Sequence, residues 1–317
     1  MNSAMNVAFI RPNYPNENRV AILPEDLASL NDIGIVLVIE AGFGSSLNIP
    51  DSAYASAGAR IVSRAACYME RAIFNLKLTQ PSDYGYLRPD HVIIGWTHPY
   101  GSGAKFYAEV SAPLGIALLD IDSVMPRIFR GNRDPEIADF FPRHMFWKNS
   151  YNAGIASVRL AMRNFPILPE QHTSVCVLGS GAVAQGAFYE LSRSGFMPRM
   201  FYRKTLDIFH NAVSEYHVIV NGIEVDTPGT RIMDANLLKR TRGDVIIVEA
   251  AADAGNAIEG TEYQSLNAPI AYTFGRRYLM VNNAPTVMVA EASRDISAVV
   301  TRNILPCIIR NRERLGL

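Results

Sequence analysis

The chain has 317 residues, 49% hydrophobic and 19% charged, and its 30 Lys and Arg balance 30 Asp and Glu. That length fits two domains of ordinary size, each able to bury a substantial core, and the zero net charge without a Lys/Arg tract excludes nucleic acid and membrane surfaces as expected partners. The start MNSAMNVAFIRPNYPNENRV lacks the basic-then-apolar order of a secretory signal, and no segment reaches the roughly 18 apolar residues of a membrane span.

Cys67, Cys176 and Cys307 lie far apart without metal-ligand spacing, and Cys176 sits in an apolar run as a buried thiol would. A reducing, cytoplasmic setting and no metal centre are expected.

Short apolar runs alternate with helix-like stretches, the pattern of parallel sheets with crossover helices. In the first half NVAFI (6–10), IVLVIE (35–40), AIFNLKL (72–78), HVIIGWT (91–97) and GIALLDI (115–121) predict strands. Between them PEDLASLND starts with Pro24 and two acids, and DSAYASAG with Asp51; both are helix-start signals. SYNAGIASVRLAMRNF (150–165) predicts a long amphipathic helix joining two domains.

A fresh series follows: SVCVL (174–178), a helix from about 183 to 195, RMFYR (199–203), a hairpin turn at Asn221–Gly222, DVIIVEA (244–250) and IAYTF (270–274). After YLMVNNAP (278–285), the stretch TVMVAEASRDISAVVTRNIL reads as a final long helix, apolar on two sides, that braces the first domain or a subunit contact. The expected fold class is α/β, with two Rossmann-like domains whose parallel sheets flank an interdomain cleft.

In VCVLGSGAVAQG the order Gly179, Gly181, Ala184 gives G-x-G-x-x-A between a strand and a helix. Gly179 allows the tight turn, Gly181 the approach of backbone to a pyrophosphate, and Ala184 close helix–strand packing, with phosphates on the helix N-terminal N–H groups. The whole turn, Gly179, Ser180, Gly181, Ala182, Val183 and Ala184, is the expected cofactor contact; the plainer reading is an ordinary strand–helix turn. About 20 residues on, where an acid would take the ribose of NAD, stand Arg203 and Lys204. Two cations there suit the 2′-phosphate of NADP(H), against the plainer reading of two solvated surface charges.

Four further side chains fall at or near strand ends: Arg19, Lys77 and His98 in the first half, and Asp253 in the second. Ligands of open α/β sheets bind beyond the carboxyl ends of strands, so these residues are expected to converge. Arg19 is suited to grip a carboxylate, Lys77 to polarise a carbonyl or bind a second carboxylate, and His98 to exchange protons near neutrality. Each has a plainer alternative: a surface cation, a loop histidine before Pro99, an acid capping a turn. Lys77 in an apolar strand is the hardest to dismiss, because a buried ammonium is costly unless paired.

The ordered series Arg19 in NENRVAILP, Lys77 in LKLTQP, His98 in WTHP, GSGAVAQG, Asp253 in AADAGN and Asn283 in VNNAP resembles the alanine dehydrogenase, saccharopine dehydrogenase and transhydrogenase superfamily. PNYPNENRVAILPED, LKLTQPSDY, IIGWTHPYGSG, YRKT and AADAGNAIEG are similar to its N5-(carboxyethyl)ornithine synthase branch. The resemblance implies a substrate domain from 1–147 plus 286–317 and an NADP(H)-binding Rossmann domain inserted at 148–285. It implies reductive condensation of pyruvate with the side-chain amine of ornithine or lysine, using NADPH. Arg19 and Asn283 would bind substrate, His98, Lys77 and Asp253 would be catalytic, and Ala251 would join the cofactor contacts. A homo-oligomer is expected.

One departure stands out. Where alanine dehydrogenases resemble K-V-K-E-P, this chain has K-L-T-Q-P, so Thr79 replaces the second lysine and, on a strand, would face the same way as Lys77. That weighs against a plain alanine dehydrogenase; the alternative reading is a simple amino acid dehydrogenase of alanine or lysine type. A sensor that binds the nucleotide without turnover is a further alternative, and retention of all four side chains argues against it.

Overall fold

Two compact units make up the chain, Met1–Phe146 with Val289–Leu317, and Trp147–Met288. The computed structural model describes residues 4–317 apart from 31–32, 123, 167, 170–171 and 226–228.

The first unit is built on eight strands: β1 Met5–Phe9, β2 Ile35–Glu40, β3 Arg60–Val62, β4 Ala72–Phe74, β5 Val92–Gly95, β6 Ala117–Asp120, β7 Arg127–Arg130 and β8 Glu136–Ile137. Their order is β3-β2-β1-β4-β5-β6-β7-β8. Strands β1 to β6 are parallel, while β7 and β8 run antiparallel at one edge. The direction of winding reverses between β1 and β4, the place where such sheets open a crevice at their carboxyl ends. The central runs were legible because they are buried on both faces. The edge strands β3 and β8, and β7 next to β8, carry charged, exposed residues, and no apolar run announces them.

The last helical stretch belongs to this unit. Ile296, Val300, Ile304 and Ile308 recur every fourth residue and lie in one core with Val7, Ile39 and Phe74, the stripe expected of a helix packed along one face. On the same helix Ser293 accepts the backbone N–H of Val20 at 3.0 Å, and Ser297 that of Leu23 at 2.8 Å. The segment after β1 is thereby tied to a helix more than 270 residues later. Residues 24–30 form a short helix, Pro24–Leu27, and a 3-10 turn, Ala28–Leu30; the rest of that predicted helix, 31–32, lies outside the described residues.

The second unit carries β9 Val175–Leu178, β10 Arg199–Phe201, β11 Val218–Asn221, β12 Ile246–Glu249, β13 Ile270–Thr273 and β14 Arg276–Leu279 in the order β10-β9-β11-β12-β14-β13. All neighbours are parallel except β13 and β14. The hairpin expected at Asn221–Gly222 does not form. Asn221 ends a strand lying parallel between β9 and β12, and Gly222 is small for another reason. A Cβ there would lie 2.8 Å from the backbone nitrogen and Cα of Ala184. The hairpin of this unit turns instead at Phe274 and Gly275, with φ of 46° and 75°, the left-handed pair that a two-residue connection demands.

Helices Trp147–Asn164 and Ala182–Arg193 cross through two glycines. A Cβ on Gly154 would lie 1.9 Å from the Val183 carbonyl oxygen, and one on Gly186 1.9 Å from that of Tyr151. Among the described residues no helix is long and apolar enough to cross a membrane.

Candidate active site

The carboxyl edge of the first sheet carries an unusual density of buried charge. Strand β4 stops at Phe74, short of the expected 72–78, and the chain bends through 75–80. The bend is forced by close packing: a Cβ on Gly95 of β5 would fall 1.8 Å from the Asn75 carbonyl oxygen. Lys77 is therefore on a bend and not on a strand, so side-chain alternation does not relate it to Thr79. Thr79 turns inward, 2% exposed, and its hydroxyl oxygen accepts from Asn75 Nδ2 at 3.3 Å.

Lys77 is 8% exposed. Among the described residues its ammonium has no hydrogen-bond or ion-pair partner; it stands 5.8 Å from the ring centroid of Tyr14 and 5.5 Å from that of Trp96. Burial first, and the charge of Arg19 second, lower its pKa against the opposing pull of Asp122, Glu17 and Asp120. The indole Nε1 of Trp96 is a second buried donor with no partner among the described residues. A buried indole donor left unmatched beside a largely buried, unpaired lysine is uncommon in folded proteins and points to an acceptor-bearing ligand.

Arg19 is 1% exposed and lies over the other side-chain landmark, the Trp96 ring, with 4.9 Å between its Cζ and the centroid. Its fork is engaged by Glu17, Nε donating to Oε1 at 2.8 Å and Nη2 to Oε2 at 2.6 Å. The two-pronged grip expected on a substrate carboxylate is thus made on Glu17, a residue the sequence reading passed over although it lies two positions away in NENR.

His98 follows β5 with φ of 43°, a left-handed conformation costing a non-glycine residue about 1 kcal/mol. Its carbonyl accepts the backbone N–H groups of Gly101 and Gly103, which hold the turn closed. The imidazole Nδ1 lies 3.4 Å from Asp122 Oδ2. Asp120, at the end of β6 and paired in register with Gly95, accepts from the Thr97 N–H at 3.0 Å and the His98 N–H at 3.4 Å. Burial raises the Asp120 carboxyl, with Asp122 adding to it and His98 opposing. Both acids were missed in the sequence, although LLDID places them two apart at the end of a buried run. Lys77, Trp96, Glu17, Arg19, His98, Asp120 and Asp122 thus belong to one electrostatic neighbourhood.

In the second unit the glycine-rich turn lies at the reversal of strand order between β9 and β11. Gly179 has φ of +114°, and a Cβ there would sit 3.1–3.2 Å from Ile223, Ala184 and Gly222, so only glycine fits. Ala184 is fully buried behind it. Ser180 is exposed, and Ala182 and Val183 begin the helix Ala182–Arg193. Gly181 precedes that helix with no side chain capping its N–H groups, and a Cβ there would meet open space. Uncapped N–H groups on a 12-residue helix, approached across bare backbone, fit a diphosphate.

Arg203 and Lys204 are exposed in the short turn after β10, and Arg203 donates to the Glu224 carbonyl at 2.6 Å, beside the Gly222–Ile223 segment. Asp253 spends both oxygens inside its own unit, Oδ2 accepting from the Val225 N–H at 2.8 Å and Oδ1 from Asn256 Nδ2 at 2.9 Å. It ties the loop after β11 to the loop after β12. Ala251 donates its N–H to the Asn221 carbonyl at 3.2 Å. Asn283 is buried beyond β14, its carbonyl accepting from Thr286. The sequence reading also missed Glu249, the last residue of β12. It is 1% exposed, accepts from Asn221 Nδ2 at 3.1 and 2.8 Å, and is pushed up to about 8 by burial.

Residues 10–135 match the family described as the alanine dehydrogenase/PNT N-terminal domain. The chain is 39% identical over 301 residues to the N(5)-(carboxyethyl)ornithine synthase of Lactococcus lactis subsp. lactis, covering 95% of each protein. It is 38% identical over 302 residues to the enzyme of the same name from Clostridium botulinum, covering 95% of this chain and 94% of that one. Among solved structures it is similar to an L-alanine dehydrogenase, with a TM-score of 0.77 at 20% identity over 98% of this chain and 90% of the other. A transhydrogenase from Sinorhizobium meliloti gives 0.72 at 18% identity over 95% and 94%. The fold is theirs, Rossmann-like in both units.

Proposed function

The chain belongs to the N(5)-(carboxyethyl)ornithine synthase family, and from that premise we propose that it condenses pyruvate reductively with the side-chain amine of ornithine or lysine, with NADPH as reductant. It is an enzyme of an oxidoreductase family. The balanced reaction takes R–NH3+, pyruvate, NADPH and one proton to the protonated secondary amine R–NH2+–CH(CH3)–COO−, NADP+ and water. The first unit is the substrate domain and the second the dinucleotide domain.

The observation that carries the reading is the buried, unmatched Trp96 Nε1 beside the largely buried and unpaired Lys77, whose Nζ stands 5.5 Å from the Trp96 ring centroid. A 2-oxo acid presents the acceptors they lack. Condensation requires the amine as a free base, and Lys77, whose pKa is lowered by burial and Arg19, is itself the free base more often near neutrality than an ordinary lysine and is then able to accept that proton. The attack forms a carbinolamine, whose hydroxyl must leave as water. His98, held by Asp122, is the group placed to supply that proton, and Asp120 fixes the backbone of the turn that presents it. Arg19 contributes positive charge beside the carboxylate of the substrate, moderated by Glu17. When bound, the nicotinamide supplies the hydride that reduces the imine.

The residues that would hold the dinucleotide are those of the 179–184 turn, with Ala251 nearby and Arg203 and Lys204 at the 2′-phosphate. Asp253 acts by holding the loops around them, and Asn283 lies on the segment that leads out of β14. One assay tests the proposal. NADPH oxidation with pyruvate is followed with ornithine, lysine or ammonium as the amine, and again with NADH. Oxidation that needs ornithine or lysine and favours NADPH is expected; equal rates with ammonium alone would make it a simple amino acid dehydrogenase.

A further inference from the structure

A cavity of about 670 Å³ opens in the first unit, within the range of small-molecule sites. It is not the cluster around Lys77 and His98, neither of which lines it. Its walls come from the segment after β1, the end of β2, the start of the helix Arg64–Cys67 and the 3-10 turn Pro81–Tyr86 in the connection after β4, and it includes Arg11, Glu40, Arg64 and Asp83. It therefore sits over the reversal of strand order between β1 and β4. Glu17 and Arg19 border it as well, and both act electrostatically on Lys77. The cavity and the Lys77 neighbourhood are thus adjacent stations along one sheet edge, sharing the Glu17–Arg19 pair.

The charges of the cavity have a pattern. Arg64 bridges two acids, Nη1 to Glu40 at 2.7 Å and Nη2 to Asp83 at 2.6 Å. Its Nη1 and the Arg11 N–H hold the same Glu40 oxygen, and Asn13 Nδ2 donates to Asp83 at 3.0 Å. The bridge has three charges, one more negative than positive, and it is rigid because each group is tied twice. The guanidinium of Arg11 has no ion-pair partner among the described residues, and its Nη1 lies near Gly42, where a Cβ would be 3.5 Å away. Counting Arg11, Arg19 and Arg64 against Glu17, Glu40 and Asp83, the charges cancel. A neutral wall that displays both signs at separate places repels a net anion no less than a net cation, and suits a zwitterion.

We infer that this cavity holds the amino-acid head of the amine substrate, its α-carboxylate at Arg11 and its α-ammonium at the Glu40–Asp83 side, while its side-chain amine extends toward Lys77. The inference rests on the proposed condensation and adds to it a binding site for the second substrate, distinct from that of the 2-oxo acid. It also accounts for a substrate longer than alanine: the head is held at β1–β2 and the reacting nitrogen delivered toward β4–β5.

The test compares wild type with Arg11→Ala, an exposed position, in steady-state kinetics with L-ornithine, L-lysine and 1,4-diaminobutane, which keeps an amine but lacks the head. Arg11→Ala is expected to raise KM for the diamino acids by about tenfold or more, since it removes a charge-assisted contact. KM for pyruvate and NADPH should stay within about twofold, and 1,4-diaminobutane should be a poor substrate for both proteins to the same degree. Arg11→Lys should recover part of the loss. Unchanged diamino-acid KM in Arg11→Ala, or 1,4-diaminobutane used as well as ornithine by wild type, would overturn the inference while leaving the condensation intact. If wild type turns over no amine, the proposed reaction fails by itself, and calorimetric titration of L-ornithine decides the site: binding weakened by Arg11→Ala supports it, and no binding by wild type ends it.

Discussion

The guanidinium of Arg19 donates to both oxygens of Glu17, at 2.8 and 2.6 Å, with the two side chains 1% and 0% exposed. Burial alone would raise the Glu17 carboxyl, but Arg19, with Lys77 adding to it, holds it below the ordinary carboxylate range. The pair is worth most as a pair. Glu17→Gln leaves a buried guanidinium without its counter-charge, and the expected loss is about 3–5 kcal/mol of stability.

Its pH dependence follows from the direction of the shift. A depressed folded pKa contributes stability that is full above the unfolded value and is lost as pH falls through the folded one. Wild type and Glu17→Gln should therefore converge in acid and differ most near neutrality. Denaturant midpoints measured from pH 3 to 8 check this; a constant difference across that range would show the pair to be electrostatically idle.

Lys77 is lowered as well, but for a base this disfavours the charged form. Its lowered pKa means that the folded state resists protonation there, so the unfolded chain binds more protons and stability rises with pH until the ordinary lysine range is passed. Lys77→Met removes the unpartnered ammonium and keeps the length of the side chain. The variant is expected to be at least as stable as wild type at pH 7, while kcat falls by about 10²–10⁴. A destabilised variant with kcat within about threefold would make Lys77 a structural residue.

Arg203 and Lys204 are exposed in a turn, where Arg203 also donates to the Glu224 carbonyl. Replacing them with Asp and Ser is expected to weaken NADPH by about tenfold or more and NADH hardly at all, because in the proposed mode only NADPH carries the 2′-phosphate that the two cations meet. Fluorescence titration of both nucleotides checks it. A cofactor ratio equal to that of wild type would assign the preference elsewhere.

Glu249 is raised to about 8, first by burial and then by Asp253, against the hydrogen bond from Asn221. A raised carboxyl acts in reverse of Glu17: its unfolded form ionises first, so stability is lost as pH climbs from the ordinary carboxylate range to about 8. Glu249→Gln keeps the shape and the bond to Asn221 and removes this slope. Thermal midpoints at pH 5 and pH 8 should then differ less in the variant than in wild type; an equal or larger difference would place the titrating group elsewhere.

What could be read without the structure was whatever depends on neighbours in the chain. Buried parallel strands show as apolar runs, and the Gly179–Ala184 turn shows as a motif because strand, glycines and helix are contiguous. Lys77 and His98 could be singled out because a charge beside an apolar run is locally odd. Misreadings arose where local chemistry has two explanations. Asn221–Gly222 looks like a hairpin, and only the approach of Ala184 reveals that the glycine makes room for a helix. Phe274–Gly275 hides the real hairpin because an aromatic residue seldom signals a left-handed turn.

Tertiary structure alone decided the company each residue keeps. Glu17 claims the fork of Arg19, Asp120 and Asp122 gather around His98, and Ser293 and Ser297 pin a segment more than 270 residues earlier. Parallel strands place sequence-distant carboxyl ends side by side, and burial then sets the pKa of whatever stands there. Neither effect leaves a local trace in the sequence, because desolvation and Coulomb forces depend on distance in space, whereas the chain records only distance along itself.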